Sequence, residues 1–90
     1  MKEFHESDIE SVVNLAATNN HYGYLAKMKN DLIISVLYDP TTNTPIKASY
    51  CFPNEKCHYL PQESVDQYYQ LLRKYYIDQH CIFSHNGVLK

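Results

Sequence analysis

The chain has 90 residues, with 8 Lys and Arg against 10 Asp and Glu and a net charge of −2 at neutral pH. That length supports one hydrophobic core and excludes two, so residues 1–90 are expected to form one domain, and the near-neutral charge gives no global attraction to phosphate. A hydrophobic fraction of 44%, with only 2 Gly and 4 Pro, excludes a disordered or low-complexity chain.

The opening segment MKEFHESDIE is charged from Lys2 and has no apolar signal region, and no apolar run approaches the length that spans a bilayer. A soluble, cytoplasmic protein is the expectation. Three cysteines, an odd number without a secretion signal, are expected as reduced thiols. Ser7 followed by Glu10 matches a capping box, and Ile9, Val12, Val13 and Ala16 recur at helical spacing, which predicts a first helix over Asp8 to Thr18. On that reading Glu6, Asp8 and Glu10 are acids at a helix start rather than a catalytic pair.

Asn19, Asn20 and Gly23 break the pattern, and Tyr22, Tyr24, Ala26 and Met28 then alternate with Gly23, Leu25, Lys27 and Lys29, as in a strand. Asn30-Asp31 reads as a tight turn into LIISVLYD, the most β-branched segment present. Pro40 to Pro45 is a polar loop, and IKASYCF beyond it alternates again, with Ile46, Ala48, Tyr50 and Phe52 on one side. These three strands make an antiparallel meander, followed by a connecting loop from Pro53 to Leu60.

From Pro61 to His80 the chain predicts a long amphipathic helix. Val65, Tyr68, Tyr69, Leu72, Tyr75 and Tyr76 form its apolar stripe, Pro61 suits the first turn, and the acids Glu63 and Asp66 precede the bases Arg73, Lys74 and His80 along the macrodipole. Beyond it, Asn86-Gly87 is a hairpin signal, and a short strand or ordered tail is expected. The fold class is therefore α+β: helix, three-stranded meander, long helix and tail, with both helices on one sheet face. Even-numbered strand residues point inward. The opposite face then presents Leu25, Ile33 and Leu37 beside Lys27, Ser35, Lys47, Ser49 and Cys51, which is too apolar for a plain solvated face. A returning tail with Ile82 and Phe83, a second copy or a foreign partner would cover it.

Chemistry is sparse. Cys51, Cys57 and His58 before the long helix and His80, Cys81 and His85 after it are the residue types of a zinc site. A helix of about 19 residues separates its ends by roughly 28 Å, so the two sets cannot share one ion, and no metal or cofactor is expected. Cys57, beside His58 and near the positive helix end, is the one thiol with a reason for a lowered pKa. No oxyanion-hole glycines or orienting third group accompany it, and no catalytic residue is assigned.

The predicted order of helix, three strands and helix over Asp8 to His80 is similar to that of double-stranded RNA-binding domains. The likeness implies an RNA-binding alternative. Pro61, Gln62, Glu63 and Asp66 stand where that family carries phosphate-gripping lysines, so nucleic-acid binding is disfavoured. A small structural zinc protein is the second alternative. The reading favoured by the residues is a non-enzymatic module that binds another protein by occlusion, as inhibitors, immunity proteins, phage-borne antagonists of host machinery and small adaptors do. Its nine tyrosines suit core margins and interfaces alike. The candidate contact residues are Leu25, Ile33, Leu37 and Lys47 on the sheet, with Arg73 and Ile77 on the long helix, and the open sheet face is also the surface on which a homodimer would form.

Overall fold

A computed structural model describes residues 5–17 and 20–87, with side chains through Gln79. Five antiparallel strands follow one another in sequence order across one sheet: β1 (Ile9–Ala16), β2 (Tyr22–Met28), β3 (Ile33–Asp39), β4 (Thr44–Cys51) and β5 (His58–Tyr59). Among the described residues the one α-helix, α1 (Gln62–Gly87), packs against β1 to β4, and Glu6–Asp8 and Lys29–Asp31 form short 3-10 turns. The α+β class holds, while three expectations about its parts do not.

The first correction is the N-terminal segment. Of the segment expected as a helix, Ile9 to Ala16 are the edge strand β1, paired with β2 from Ile9↔Met28 to Ala16↔Tyr22 with a bulge at Glu10. Asp8 ends a 3-10 turn, and Thr18 lies outside the described residues. The bulge explains the misleading spacing. Neighbours on one sheet face normally lie two residues apart, but one inserted residue puts Ile9 and Val12, three apart, both into the core. Glu10 forms an ion pair with Lys27 across the ladder at 3.2 Å instead of capping a helix. With β1 as a strand, the helix-strands-helix order is lost, and the topological likeness to double-stranded RNA-binding domains goes with it.

Second, the loop expected over Pro53 to Leu60 contains β5, which extends the meander: Ser49 pairs with Tyr59 and Tyr50 with His58, and Leu60 N–H donates to Ala48 O at 2.9 Å. Continuing this register sets Cys57 opposite Cys51, with Cα atoms 4.4 Å apart, and a disulfide joins them. The expectation of three reduced thiols is thus wrong for two of them. An odd cysteine count does not reveal a pair created by strand register.

Third, no short strand follows the helix within the described residues. α1 runs on through Asn86 and Gly87, because 81–86 contain neither Pro nor Gly and nothing interrupts the i to i−4 ladder before Gly87. The side chains of His80, Cys81, Ile82, Phe83 and His85 lie outside the described residues, as does everything beyond Gly87. A tail returning from His80 over the open face is excluded by the helical backbone of 80–87.

The alternation of β2, β3 and β4 falls as the sequence implies. Tyr24, Ala26, Met28, Ile34, Val36, Tyr38 and Ala48 are buried beneath Val65, Tyr68, Tyr69 and Leu72 of α1, with Tyr75 and Tyr76 packed at the margin. Turns are made by Asn and Asp rather than Gly. Asn30 and Asp31 both occupy the left-handed region, at φ 68° and 64°, which short polar side chains tolerate, and Asp39 accepts the Thr41 N–H at 2.9 Å in an Asx turn.

Candidate functional site

A five-stranded sheet has two faces and α1 covers one. Gly23 N–H and C=O face β1 and Leu37 lies opposite it on β3, so the strand register arranges the other face in rows. One row is Leu15, Gly23, Leu37 and Lys47, and the next is Val13, Leu25, Ser35, Ser49 and Tyr59. A third row holds Ser11, Lys27, Ile33 and Cys51. Large apolar side chains therefore surround positions that are small. Gly23, Ser35 and Ser49 form a floor, and Leu15, Leu25, Leu37, Lys47 and Tyr59 rise around it, enclosing a shallow groove of about 320 Å³.

Among the described residues, three of the five large apolar side chains that remain exposed belong to these rows: Val13 at 46%, Leu15 at 50% and Tyr59 at 71%. Leaving such area in water is unfavourable by about 25 cal/mol per Å², so this face gains from being covered. Its polar groups are few. Ser35 and Ser49 hydroxyls lie 3.4 Å apart, and the Lys47 ammonium sits 5.2 Å from the centre of the Tyr59 ring. Lys27 is neutralised by Glu10 and, at 3.9 Å, by Asp31. No carboxylate among the described residues pairs with Lys47, which leaves one unneutralised cation at the rim of an apolar groove.

Of the sequence-derived contact residues, Leu25, Leu37 and Lys47 come together around the groove. Ile33 shares the face but lies one row further on, between Lys27 and Cys51. Arg73 and Ile77 do not join them, because α1 is on the other side of the sheet. Ile77 is 37% exposed there, and Arg73 is half-buried beside Tyr24 and Tyr69. Leu15, Ala16 and Ala17 were missed because β1 was read as helix, and Tyr59 because a two-residue strand resembles loop. The period-two signal for β1 is present in Val13 and Leu15 once the bulge at Glu10 is allowed for.

The covered side carries the perturbed hydroxyls. Tyr24 stacks on Tyr38 with ring centres 4.9 Å apart, and Tyr69 and Tyr76 complete the cluster at 5.3 Å from Tyr38 and 5.5 Å from Tyr24. Asn14 Nδ2 donates to Tyr38 Oη at 2.7 Å. Burial pushes the Tyr24 hydroxyl well above its ordinary pKa, with Tyr38 and Tyr69 adding to the rise and Arg73 opposing it. Burial likewise raises Tyr69, against the pull of Arg73. These shifts fit rings that finish a core. Seven of the nine tyrosines are buried or packed against it, leaving Tyr22 and Tyr59 exposed.

Cys57 is bound in the disulfide and offers no thiolate nucleophile in that state. Among the described residues no group of three or more His, Cys, Asp or Glu is placed to hold a metal ion, and no helix is long and apolar enough to cross a membrane. Fold and face together define a two-layer α+β protein with one partly apolar sheet surface that no described residue covers. Comparison with protein-family models, curated protein sequences and solved structures found no significant match.

Proposed function

We propose that this chain is a non-enzymatic protein-binding module that acts by occlusion, in the manner of an inhibitor, immunity protein or phage-type antagonist, and that its open sheet face is the docking surface. The observation that supports this reading is the groove of Leu15, Leu25, Leu37 and Tyr59 with Lys47 at its rim. An apolar centre with one unneutralised cation suits a protein segment that brings Leu-like or aromatic side chains and a single carboxylate. Arg73 and Ile77 form the weaker candidate surface, since Ile77 is the only large exposed aliphatic on the described part of α1.

The test compares folded variants in affinity capture from the source cell or its host, read by mass spectrometry. Leu37→Asp and Lys47→Glu are expected to lose a stoichiometric partner that the parent and Ile77→Asp retain. Retention by the sheet variants and loss by Ile77→Asp would move the surface to α1. Tight binding of duplex RNA at about 0.15 M salt would favour the nucleic-acid alternative. Where binding takes place bears on Cys51 and Cys57. Disulfides persist in oxidising compartments and are rare in a reducing cytoplasm, so in a cytoplasmic setting this pair is expected to be reduced. Alkylation of intact cells before lysis reads that state directly.

A further inference from the structure

The two edges of the sheet are unequal. One is the two-residue β5, which leads straight into α1, while the other is the eight-residue β1. Which backbone groups β1 leaves open follows from its ladder. Ala17 N–H donates to His21 O at 2.8 Å, and the register is unbroken from Ser11↔Lys27 to Ala16↔Tyr22. Antiparallel pairs alternate between bonded and non-bonded, so Ser11, Val13, Leu15 and Ala17 bond to β2. The Met28 N–H to Leu32 O bond at 2.7 Å agrees, because it assigns the even residues of β2 to β3 and the odd ones to β1. Val12, Asn14 and Ala16 therefore point their N–H and C=O groups away from the sheet.

Nothing in this stretch blocks further pairing. SVVNLAA, residues 11–17, carries no charge and no Pro, and the only irregularity is the bulge at Glu10. Native edge strands are usually guarded by Lys, Pro or short length, and an unguarded apolar edge is a template for another strand. The bulge also fixes the centre of the usable stretch. Regular pairing begins at Ser11 and runs to Ala17, so its midpoint is Asn14.

We propose that β1 pairs antiparallel with β1 of a second copy about a twofold axis at Asn14, joining two sheets into one. In that register Asn14 faces its own copy, and Val12 faces Ala16 in both directions. All are outward-pointing residues, and each pair exchanges two backbone bonds. Between them, in the closely spaced non-bonded positions, Val13 meets Leu15 in both directions, bringing together two exposed apolar side chains, at 46% and 50%. A second copy is favoured over a foreign strand because the stretch is self-complementary about its midpoint, with apolar residues opposed and no like charges meeting. The pairing also completes the groove. Its outer wall is Leu15, Ala16 and Ala17, and the Val13 of the second copy would extend that wall.

Sedimentation of the whole chain from low to several hundred micromolar tests the pairing. The expected particle at the upper end has twice the 10.6 kDa chain mass. Ala16→Pro removes an outward N–H that lies outside the β1–β2 ladder, so it should leave a folded monomer by circular dichroism. Val13→Lys with Leu15→Lys, and separately Val13→Glu with Leu15→Glu, should each be monomeric and should form a dimer on mixing. Leu37→Asp, which addresses the docking face instead, should leave the dimer intact, so failure of one reading is distinguishable from failure of the other. Should the β1 variants fail to fold, amide exchange of the parent decides: Val12, Asn14 and Ala16 should slow at least tenfold between dilute and concentrated samples. A parent that stays at the chain mass throughout, a dimer indifferent to Ala16→Pro, or a dimer lost with Leu37→Asp would overturn the proposal.

Discussion

Breaking the Cys51–Cys57 bond probes how the β5 end of the sheet is held. The bond closes a loop of seven residues, with a sequence separation of 6, and in the chain-entropy description a loop of that size constrains the unfolded chain by about 2 kcal/mol. Removing it should lower the thermal midpoint by roughly 10 °C in a domain of this length and the urea midpoint by about 1–2 M. The loss should also be local. β5 has two residues and two ladder pairs, so without the bond the amides of His58 and Leu60, the ones that face β4, should exchange faster, while those of β2 and β3 follow the global change. The assay is urea unfolding of the parent with and without reductant, alongside Cys57→Ser. Reductant should shift the parent onto the Cys57→Ser curve and leave Cys57→Ser unmoved. Coincident parent curves with three titratable thiols in the untreated protein would refute the pairing and restore the reduced state expected from the cysteine count.

Further outcomes follow from the core, the tyrosines and the surfaces. Leu72 is fully buried at the centre of the helix stripe, so Leu72→Ala should cost about 2–5 kcal/mol in denaturant unfolding. Tyr24 and Tyr69 have folded pKa values above the ordinary 10.0, so their neutral forms contribute full stability below that pH. The contribution is lost as pH rises through the folded values. Urea midpoints measured from pH 7 upward should fall only above about pH 10, with late phenolate absorbance appearing together with unfolding. Tyr38→Phe should lower stability by about 1 kcal/mol, because Asn14 loses the acceptor it reaches at 2.7 Å. Ile77→Asp, on the exposed side of α1, should change the thermal midpoint little; if α1 rather than the sheet docks the partner, it should weaken binding by about 1–3 kcal/mol.

Much of the middle of the molecule was legible in the sequence, because strict alternation in β2, β3 and β4 has one structural solution when a single face is buried. Tyr24, Ala26, Ile34, Val36 and Ala48 went inward, and Leu25, Ile33 and Leu37 went to the uncovered face. The stripe of α1 was equally plain, since Val65, Tyr68, Tyr69 and Leu72 repeat at 3.6 residues. What failed did so where one residue altered the count. At Glu10 a bulge turned a period of two into an apparent period of three, and Ser7 with Glu10 supplied a false cap. His58 and Tyr59 are too few to show alternation, and the disulfide depends on their register. The groove was therefore half visible: its β2, β3 and β4 walls could be named, while Leu15 and Tyr59 could not.

The order of the elements has a consequence for synthesis. Each strand neighbours the one made just before it, so the sheet can assemble hairpin by hairpin as the chain leaves the ribosome. The helix that shields its inner side comes last. Translation at about 5–20 residues per second means that the 26 residues of α1 require roughly 1–5 s. Until α1 docks, Val12, Ile34 and Val36 lack the helix that buries them, and the edge of β1 is present as well. A chain whose helix has not yet docked therefore offers both an apolar sheet and a strand edge to its neighbours, the two features that make partly folded chains prone to aggregate.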